Sequence, residues 1–469
     1  MSVNLAAPLA WKTADPDESA MLADLQANIL KGHGRNHTAN LFLRFDAAKI
    51  PAVKTFLHRL GHDVTSARQQ LEDTEKFKLS AVPGPMTVCF YLTFKGYQIL
   101  GVPAAKIPTD ARWHAGMAAS QVALADPLPS TWDLFAPGAV VHALMLLADT
   151  TADKVSNEVA RLAGKGTAVD PGILAHHGIS IVGDIRGIAR RNSKGDGIEN
   201  FGYVDGRSQP LLLAEDIDEE PGSGANWNPA FPLGQVLIHD PGNPAPNAFG
   251  SYFVFRKLEQ NTKLFGVMED KLSSLLGLNT ATGGSAPERG GALAVGRFED
   301  GTAVVLTGAD SVGPHTNDFN YASDPAPGVH CPVRGHIRKT NPRDGSERPR
   351  IMARRGITYG DRKIDPATKE FLDADTVTGG VGLLFAAFMH DIDNMFEFTQ
   401  AKWANNVGFP IANAGLDPVI GQGTNPAGAI GWKDGWGTGA TTNFDFKGAV
   451  TLKGGEYFYA PPRSFLSTV

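Results

Sequence analysis

Gly202-Tyr203-Val204-Asp205-Gly206-Arg207-Ser208-Gln209-Pro210 is the stretch on which the reading of this chain turns. Two glycines flank one carboxylate so closely that the backbone there can turn tightly and approach a flat ligand. Taken alone, a Gly-x-x-Asp-Gly segment reads as a type I or II turn with an Asx hydrogen bond. It gains meaning from two places further along: Cys331-Pro332-Val333-Arg334-Gly335-His336-Ile337-Arg338-Lys339-Thr340-Asn341-Pro342-Arg343, and Arg354. Together they supply a carboxylate, an imidazole and a guanidinium, all on loop-like ground.

His336 stands out among 13 histidines because of its neighbours. Between 334 and 355 lie eight cations, Arg334, Arg338, Lys339, Arg343, Arg348, Arg350, Arg354 and Arg355, where the chain average would place about two. A solvated basic loop is the plain reading, and a nucleic-acid patch the sharper one. No aromatics interleave these cations as base-stacking platforms would require, and an anionic cofactor carrying carboxylates would use the same charges. Other metal and cofactor chemistries lack their signatures. There is no His-Glu-x-x-His and no Cys-x-x-Cys, and adjacent His176 and His177 would point different ways. Gly164-Lys165-Gly166-Thr167 lacks the spacing of a phosphate-binding loop, the small residues at 284–291 form a loop with no such pattern, and no Gly-x-Gly-x-x-Gly follows a strand. An imidazole, a carboxylate and a guanidinium are, in contrast, what a haem peroxidase needs as iron ligand, proton shuttle and cation beside the peroxide.

The whole chain sets the limits. Its 469 residues suffice for two or three domains and a large core, and 42% hydrophobic with 20% charged residues is ordinary globular composition. The 53 glycines predict many turns, and a net charge of −6 argues against bulk attraction to nucleic acid or anionic membrane. Cys89 and Cys331 are read as buried thiols in a reducing compartment. The first residues show no basic and apolar signal pattern, the Asn36-His37-Thr38 acceptor carries little weight without one, and the apolar tract Val381 to Met389 is far short of a membrane span. The expectation is a soluble, cytoplasmic protein with no membrane and no nucleic-acid partner, as monomer or homodimer.

Strand patterns occur at Asn40 to Phe45, Met86 to Phe94 and Val140 to Leu147, with helices at Thr65 to Phe77 and from Thr151 to Leu162. Residues 221–250 are rich in Gly, Pro and Asn and read as a connection. The alternation then repeats: a strand at Tyr252 to Phe255, a helix at Thr262 to Leu276, strands at Ala292 to Phe298 and Gly382 to Phe388, and a final helix at Phe396 to Trp403. This predicts an α+β fold in two related halves, 1–220 and 251–469.

The chain resembles the dye-decolorizing peroxidases, most closely their larger bacterial and fungal forms. The likeness rests on a co-linear set: residues 24–35 (DLQANILKGHGR), the Gly202 to Pro210 hallmark, Tyr252 to Leu258, the run 331–343, Phe396-Glu397-Phe398, and the ending Tyr457 to Pro462. It implies two ferredoxin-like halves holding haem b between them, the iron site mainly in the second. It implies His336 as proximal iron ligand, Asp205 as distal carboxylate and Arg354 as distal arginine, with Arg355 the register alternative. Gly206, Arg207, Ser208 and Gln209 would flank the cofactor, Leu383 and Phe385 would roof the distal pocket, and Phe396 would touch the ring. Asp393 is the expected partner of the proximal imidazole, Glu397 the alternative, and Arg343 and Arg338 would meet the propionates. The implied activity is reduction of hydrogen peroxide through compound I, with bulky dyes or phenolics as reductants; haem carriage or iron release on the same scaffold is the alternative. A distal Asp starts near 3.9 against about 6.5 for His, and a neighbouring guanidinium lowers it further, so an acid working range is expected. Bulky dyes would deliver electrons through surface aromatics, with Trp403, Trp432 and Trp436 in the second half. No carboxylate cluster in the sequence identifies a manganese site.

Overall fold

Four strands of the first half, β1 (His37–Phe45), β2 (Thr87–Leu92), β3 (Ala143–Asp149) and β4 (Ile179–Ile188), lie in the order β4-β1-β3-β2, all antiparallel. Helices Ile50–Asp63 and Ala67–Ser80 join β1 to β2, and helix Ala152–Ala163 joins β3 to β4. This computed structural model describes residues 3–167, 170–220, 224–278, 286–310, 316–372, 375–426 and 431–469. β1 and β3 are buried on both faces, which explains why their sequences read as apolar runs and not as clean alternation.

The second half repeats the pattern. Its strands β5 (Phe249–Gln260), β6 (Ile357–Tyr359), β7 (Gly382–Met389) and β8 (Val450–Ala460) lie in the order β6-β7-β5-β8. In both halves the first strand sits between the fourth and the third, and the second lies outside the third. That is the ferredoxin-like βαββαβ arrangement, present twice, so the α+β fold in two related halves holds. Ala353–Arg354 adds a short strand on β7, and Ile238–His239 one on β5.

The two units share one sheet. β8 pairs with β2 at Tyr459 and Leu92, and the outer strands β4 and β6 meet on the far side. There the Thr358 hydroxyl donates to the Ile188 carbonyl, and Gly187 lies so close to Thr38 and Ile357 that any side chain would collide. The ring interior is filled from both halves by Phe42, Tyr91, Phe253, Phe255, Phe388 and Phe458, with centroids 5.1 Å apart for Phe42 and Phe255 and 4.7 Å for Phe253 and Phe388.

Two expectations need correction. Ala292 to Phe298 is not a strand: Ala286–Val295 is a helix. A short apolar run does not distinguish the two by period, and here Gly290 lets this helix press against Ser273 and the Glu269 carbonyl of helix Thr262–Leu275. The helical segment near Phe396 spans Ile392–Glu397 and Thr399–Ala404 with wide, π-type turns, and it is not the last, since helix Arg463–Thr468 follows. Cys89 and Cys331 are free buried thiols, both pushed up to about 12 by burial. Among the described residues no helix is long and apolar enough to cross a membrane.

The segment 24–35 stitches the halves. Gln26, fully buried, donates to the carbonyls of Phe90 (2.7 Å) and Pro461 (2.8 Å) and accepts from Phe90 N–H (2.8 Å). Asp24 accepts from the backbone and hydroxyl of Ser464 at 2.7 and 2.6 Å. Replacing Gln26 by Leu strands buried polar groups on both sides of the β2–β8 junction, at about 1–3 kcal/mol for each group left unpaired. A clear fall in thermal midpoint is therefore expected for Gln26→Leu, and an unchanged melting curve would show that the stitch carries no weight.

Candidate active site

The helices and loops inserted between β5 and β6, together with the segment that follows β7, wall a cavity of about 1730 Å³, its mouth included. Leu258, Val295, Ile337, Leu383, Phe385, Phe396 and Val419 supply much of its apolar lining.

One wall carries His336, first residue of the short helix His336–Thr340. Its Nδ1 lies 2.8 Å from Oδ2 of Asp417, a carboxylate with no solvent exposure. The other oxygen, Oδ1, accepts from the backbone N–H groups of Val419 (2.8 Å) and Ile420 (2.9 Å). With Oδ1 held by the main chain and Oδ2 facing the imidazole, the ring is fixed as the Nδ1–H tautomer and Nε2 is left for another partner. Burial is the largest single influence on His336 and lowers its pKa; the charge and hydrogen bond of Asp417 together outweigh it and hold the imidazole above its usual value.

The hallmark loop faces the same space. Gly202 and Gly206 adopt φ of 106° and 84°, where a side chain would be strained, and so place Asp205 on the cavity wall. Asp205 Oδ1 accepts from Gly206 N–H (2.6 Å) and from Arg354 Nη1 (3.1 Å). Arg354 is held from behind, its N–H donating to Gln209 Oε1 at 3.0 Å and its backbone pairing with Ala387 of β7. Arg355 turns away: Nε and Nη2 donate to the carbonyls of Asn28 and Ile29 at 2.7 and 2.8 Å, which settles the register in favour of Arg354 as the cavity residue.

The expected residues Asp205, Gly206, Arg207, Ser208, His336, Arg354, Leu383, Phe385 and Phe396 thus share one cavity, while Gln209 stands behind it. Three expectations are corrected. Asp393 does not meet His336: its carboxylate is 57% exposed and pairs with Arg112 at 2.7 Å. Glu397 is no substitute, being buried against Tyr457 hydroxyl (2.7 Å), Ser120 and Arg112. Arg338 and Arg343 do not line the cavity either. Arg338 is taken up by Asp324 and the Cys331 carbonyl, while Arg343 lies against Trp227 and Phe319 and donates to Asn317, Phe319 and Ser208. They build the loop that carries His336.

The sequence reading missed Asp417, a lone acid before Pro418 with no distinguishing signal, and Arg297, a single cation in a Gly-Arg-Phe step. Arg297 lines the cavity fully buried, and its pKa is lowered to about 9, first by burial and then by Arg343, Arg207 and Arg354 among its neighbours. Guanidiniums that depress one another around an apolar cavity favour an anion there. Glu199, close enough to the hallmark to have been noticed, also lines the cavity. It accepts from the N–H groups of Phe201 (2.9 Å) and Tyr203 (3.1 Å) and so braces the loop. Behind Tyr203, whose hydroxyl donates to Glu269 at 2.5 Å, Glu199, Glu269, Glu288 and Glu299 come within electrostatic reach of one another. Among the described residues no three metal-ligating groups come together as a metal site.

No protein-family model matches the chain. It is 43% identical over 486 residues to the "Multifunctional dye peroxidase DyP2" of an Amycolatopsis species, with all of both chains covered, and the solved structure of that protein superposes with a TM-score of 0.87. The chain belongs to the dye-decolorizing peroxidases. A solved DyP-type peroxidase of an Anabaena species is 34% identical, with 98% of each chain covered and a TM-score of 0.84. A dye-decolorizing peroxidase in complex with 2,6-dimethoxyphenol is 26% identical over 96% of this chain and 99% of that one, TM-score 0.75. Dye-decolorizing peroxidases are oxidoreductases acting on hydrogen peroxide, and this chain is one of them.

Burial, the largest cause, raises Glu199 from 4.5 to about 7. Its proton is bound more tightly in the folded chain than in the unfolded one, so folding stability is unaffected below pH 4.5 and declines as pH rises from there to about 7. A shift of that size is worth roughly 3 kcal/mol. Glu199→Gln, which keeps the shape and one acceptor oxygen but removes the titrating proton, is expected to flatten the decline in thermal midpoint between pH 4.5 and 8; a profile parallel to the parent's would contradict it.

Proposed function

We propose that the cavity binds haem b, whose iron His336 Nε2 would hold, and that Asp205 and Arg354 on another wall of the cavity handle hydrogen peroxide while bulky dyes or phenolics supply the electrons. One observation carries this reading: a buried imidazole–carboxylate pair and a carboxylate–guanidinium pair face a single apolar cavity. The residues fit the group. Nε2 is the imidazole atom that Asp417 leaves available, the lining is apolar enough for a porphyrin, and Arg207 and Arg297 are suited to its propionates. The family's complex with 2,6-dimethoxyphenol supports phenolics as one reductant class, and the free buried thiols Cys89 and Cys331 suit a reducing, cytoplasmic setting.

When bound, haem would supply the redox chemistry, the exchange of two electrons between peroxide and reductant. The protein supplies the rest. Asp417 accepts the Nδ1–H hydrogen bond, which raises the basicity of Nε2 as a ligand. Asp205 takes the proton from the near oxygen of peroxide and returns it to the far one, which leaves as water. Arg354, 3.1 Å from that carboxylate, stabilises negative charge growing on the departing oxygen. Leu383 and Phe385 keep bulk water from the reacting atoms.

The test is a visible absorption spectrum of haem-loaded protein, followed by rapid mixing with one equivalent of peroxide. A fast spectral change is expected; a protein that only carries haem would show none. Arg354→Leu should keep the haem spectrum and slow the peroxide reaction by about 10²-fold or more, the scale of losing one charge-stabilising donor. His336→Ala should lose the haem or its normal spectrum, and a normal spectrum would remove it as ligand. Carboxylic acids as a class lose their protons at lower pH than imidazolium does, so with a carboxylate as base peroxide turnover should be fastest in mildly acidic buffer. An optimum above neutrality would contradict Asp205 as the base.

A further inference from the structure

The turn that carries Asp205 is tied together by a second acid, Glu199. Ile198 bridges Val204, Asp205 N–H donates to the Gly197 carbonyl at 2.9 Å, and Gly202 N–H donates to the Glu199 carbonyl at 3.0 Å. Inside this fold-back the Glu199 side chain uses both oxygens. Oε1 accepts from Tyr203 N–H at 3.1 Å, and Oε2 accepts from Phe201 N–H at 2.9 Å and from the side-chain amide of Gln260 on β5. The turn is anchored outside as well: Phe201 stacks on Phe265 with centroids 4.0 Å apart, and Asn200 Nδ2 donates to the Gly382 carbonyl of β7 at 2.8 Å. Asp205, two residues beyond Tyr203, meets Arg354 from a base that one carboxyl group holds by two amides.

A carboxyl group suits this task because it offers an acceptor oxygen on each side, where an amide offers one. Its charge does not suit the place. Asp205 lies on the same turn, the Glu299 carboxyl carbon stands 3.2 Å from where a Cβ on Gly202 would be, and Glu269 faces Glu199 from helix Thr262–Leu275. Arg362, which donates to the Asn200 carbonyl, is a cation within reach. Burial first and the charge of Asp205 second outweigh the three donated hydrogen bonds and raise Glu199 to about 7. In acid buffer it is therefore a neutral carboxylic acid.

We propose that Glu199 is a positioning residue for the peroxide reaction: as a neutral acid it fixes the turn bearing Asp205 without adding charge to the cavity, and loss of its proton slows that reaction. The bond that breaks is the carboxyl O–H, and the proton leaves to solvent through the cavity mouth. The carboxylate left behind lines the same cavity as Asp205 and Arg354. A fixed negative charge there opposes the negative charge that grows on the departing peroxide oxygen. The inference rests on the haem reading of the cavity.

The test is the second-order rate constant for hydrogen peroxide, measured by stopped flow on haem-loaded protein from pH 5 to 9. In the parent it should fall about tenfold between pH 6 and 8, the ratio of neutral acid one unit either side of a midpoint near 7. Glu199→Gln cannot ionise and gives up one N–H contact, so it should react more slowly than the parent at pH 6 and equally fast at pH 6 and 8. A brace with no electrostatic part would lower the rate and keep the parent's slope, which overturns the proposal. Gln260→Leu removes a donor that favours the carboxylate, so its fall in rate should move to higher pH. Should Glu199→Gln fail to load haem, Gln260→Leu decides alone, and an unshifted fall overturns the proposal. So does a parent constant that is flat from pH 6 to 8. A parent that shows no spectral change with peroxide at any pH refutes the haem reading instead.

Discussion

The hydrogen bond from His336 to Asp417 is the constraint on which the site depends. A carboxylate with no solvent exposure is tolerable only if its oxygens are satisfied, and Asp417 divides them: Oδ1 takes two backbone N–H groups, Oδ2 takes the imidazole. Main-chain donors do not swing as side chains do, so the acid is stationary and the ring it holds is stationary too. What this fixes is the direction of Nε2 and the protonation of Nδ1, the two properties a metal-binding imidazole must have settled in advance.

The fold brings the opposing wall to that ring by duplication. Each ferredoxin-like unit is ordinary, but joining them through one sheet places the loop after the first unit beside strand Ala353–Arg354 of the second. Asp205 and Arg354, 149 positions apart, can then form an ion pair across the boundary. The segment 24–35 reinforces the same boundary, since Arg355 grips the carbonyls of Asn28 and Ile29 directly beside the cavity arginine. Conformation at the site and adhesion between the halves are thus properties of two consecutive residues, Arg354 and Arg355.

Much of this was legible in the sequence, and what was not has physical reasons. Asp205, His336 and Arg354 declared themselves because glycines, prolines and cations crowd around them, and such local context survives in one dimension. The strands of the first half showed because their apolar runs are long. Asp417 left no trace, since its importance comes from two backbone amides and an imidazole 81 residues away. Asp393 and Glu397 looked better placed on a helix near Phe396, but the wide turns there send them to Arg112 and Tyr457. Arg338 and Arg343 were expected at the propionates, but Asp324, aromatic faces and loop carbonyls claim them. Ala292 to Phe298 read as a strand because a short apolar run carries no period of its own, whereas helix Ala286–Val295 is set by the close contact that Gly290 and Gly291 allow.

The meeting of β4 with β6 has a consequence of another kind. An open eight-stranded ribbon would leave two rows of unpaired amides and carbonyls, each a template on which a neighbouring molecule could build cross-β contacts. Here Gly187, with no side chain to hold the ends apart, lets β6 close against the end of β4, where Thr358 takes up the Ile188 carbonyl. A single missing methyl group thereby lets the two margins meet at this point and removes one carbonyl from those on which a stray strand could build.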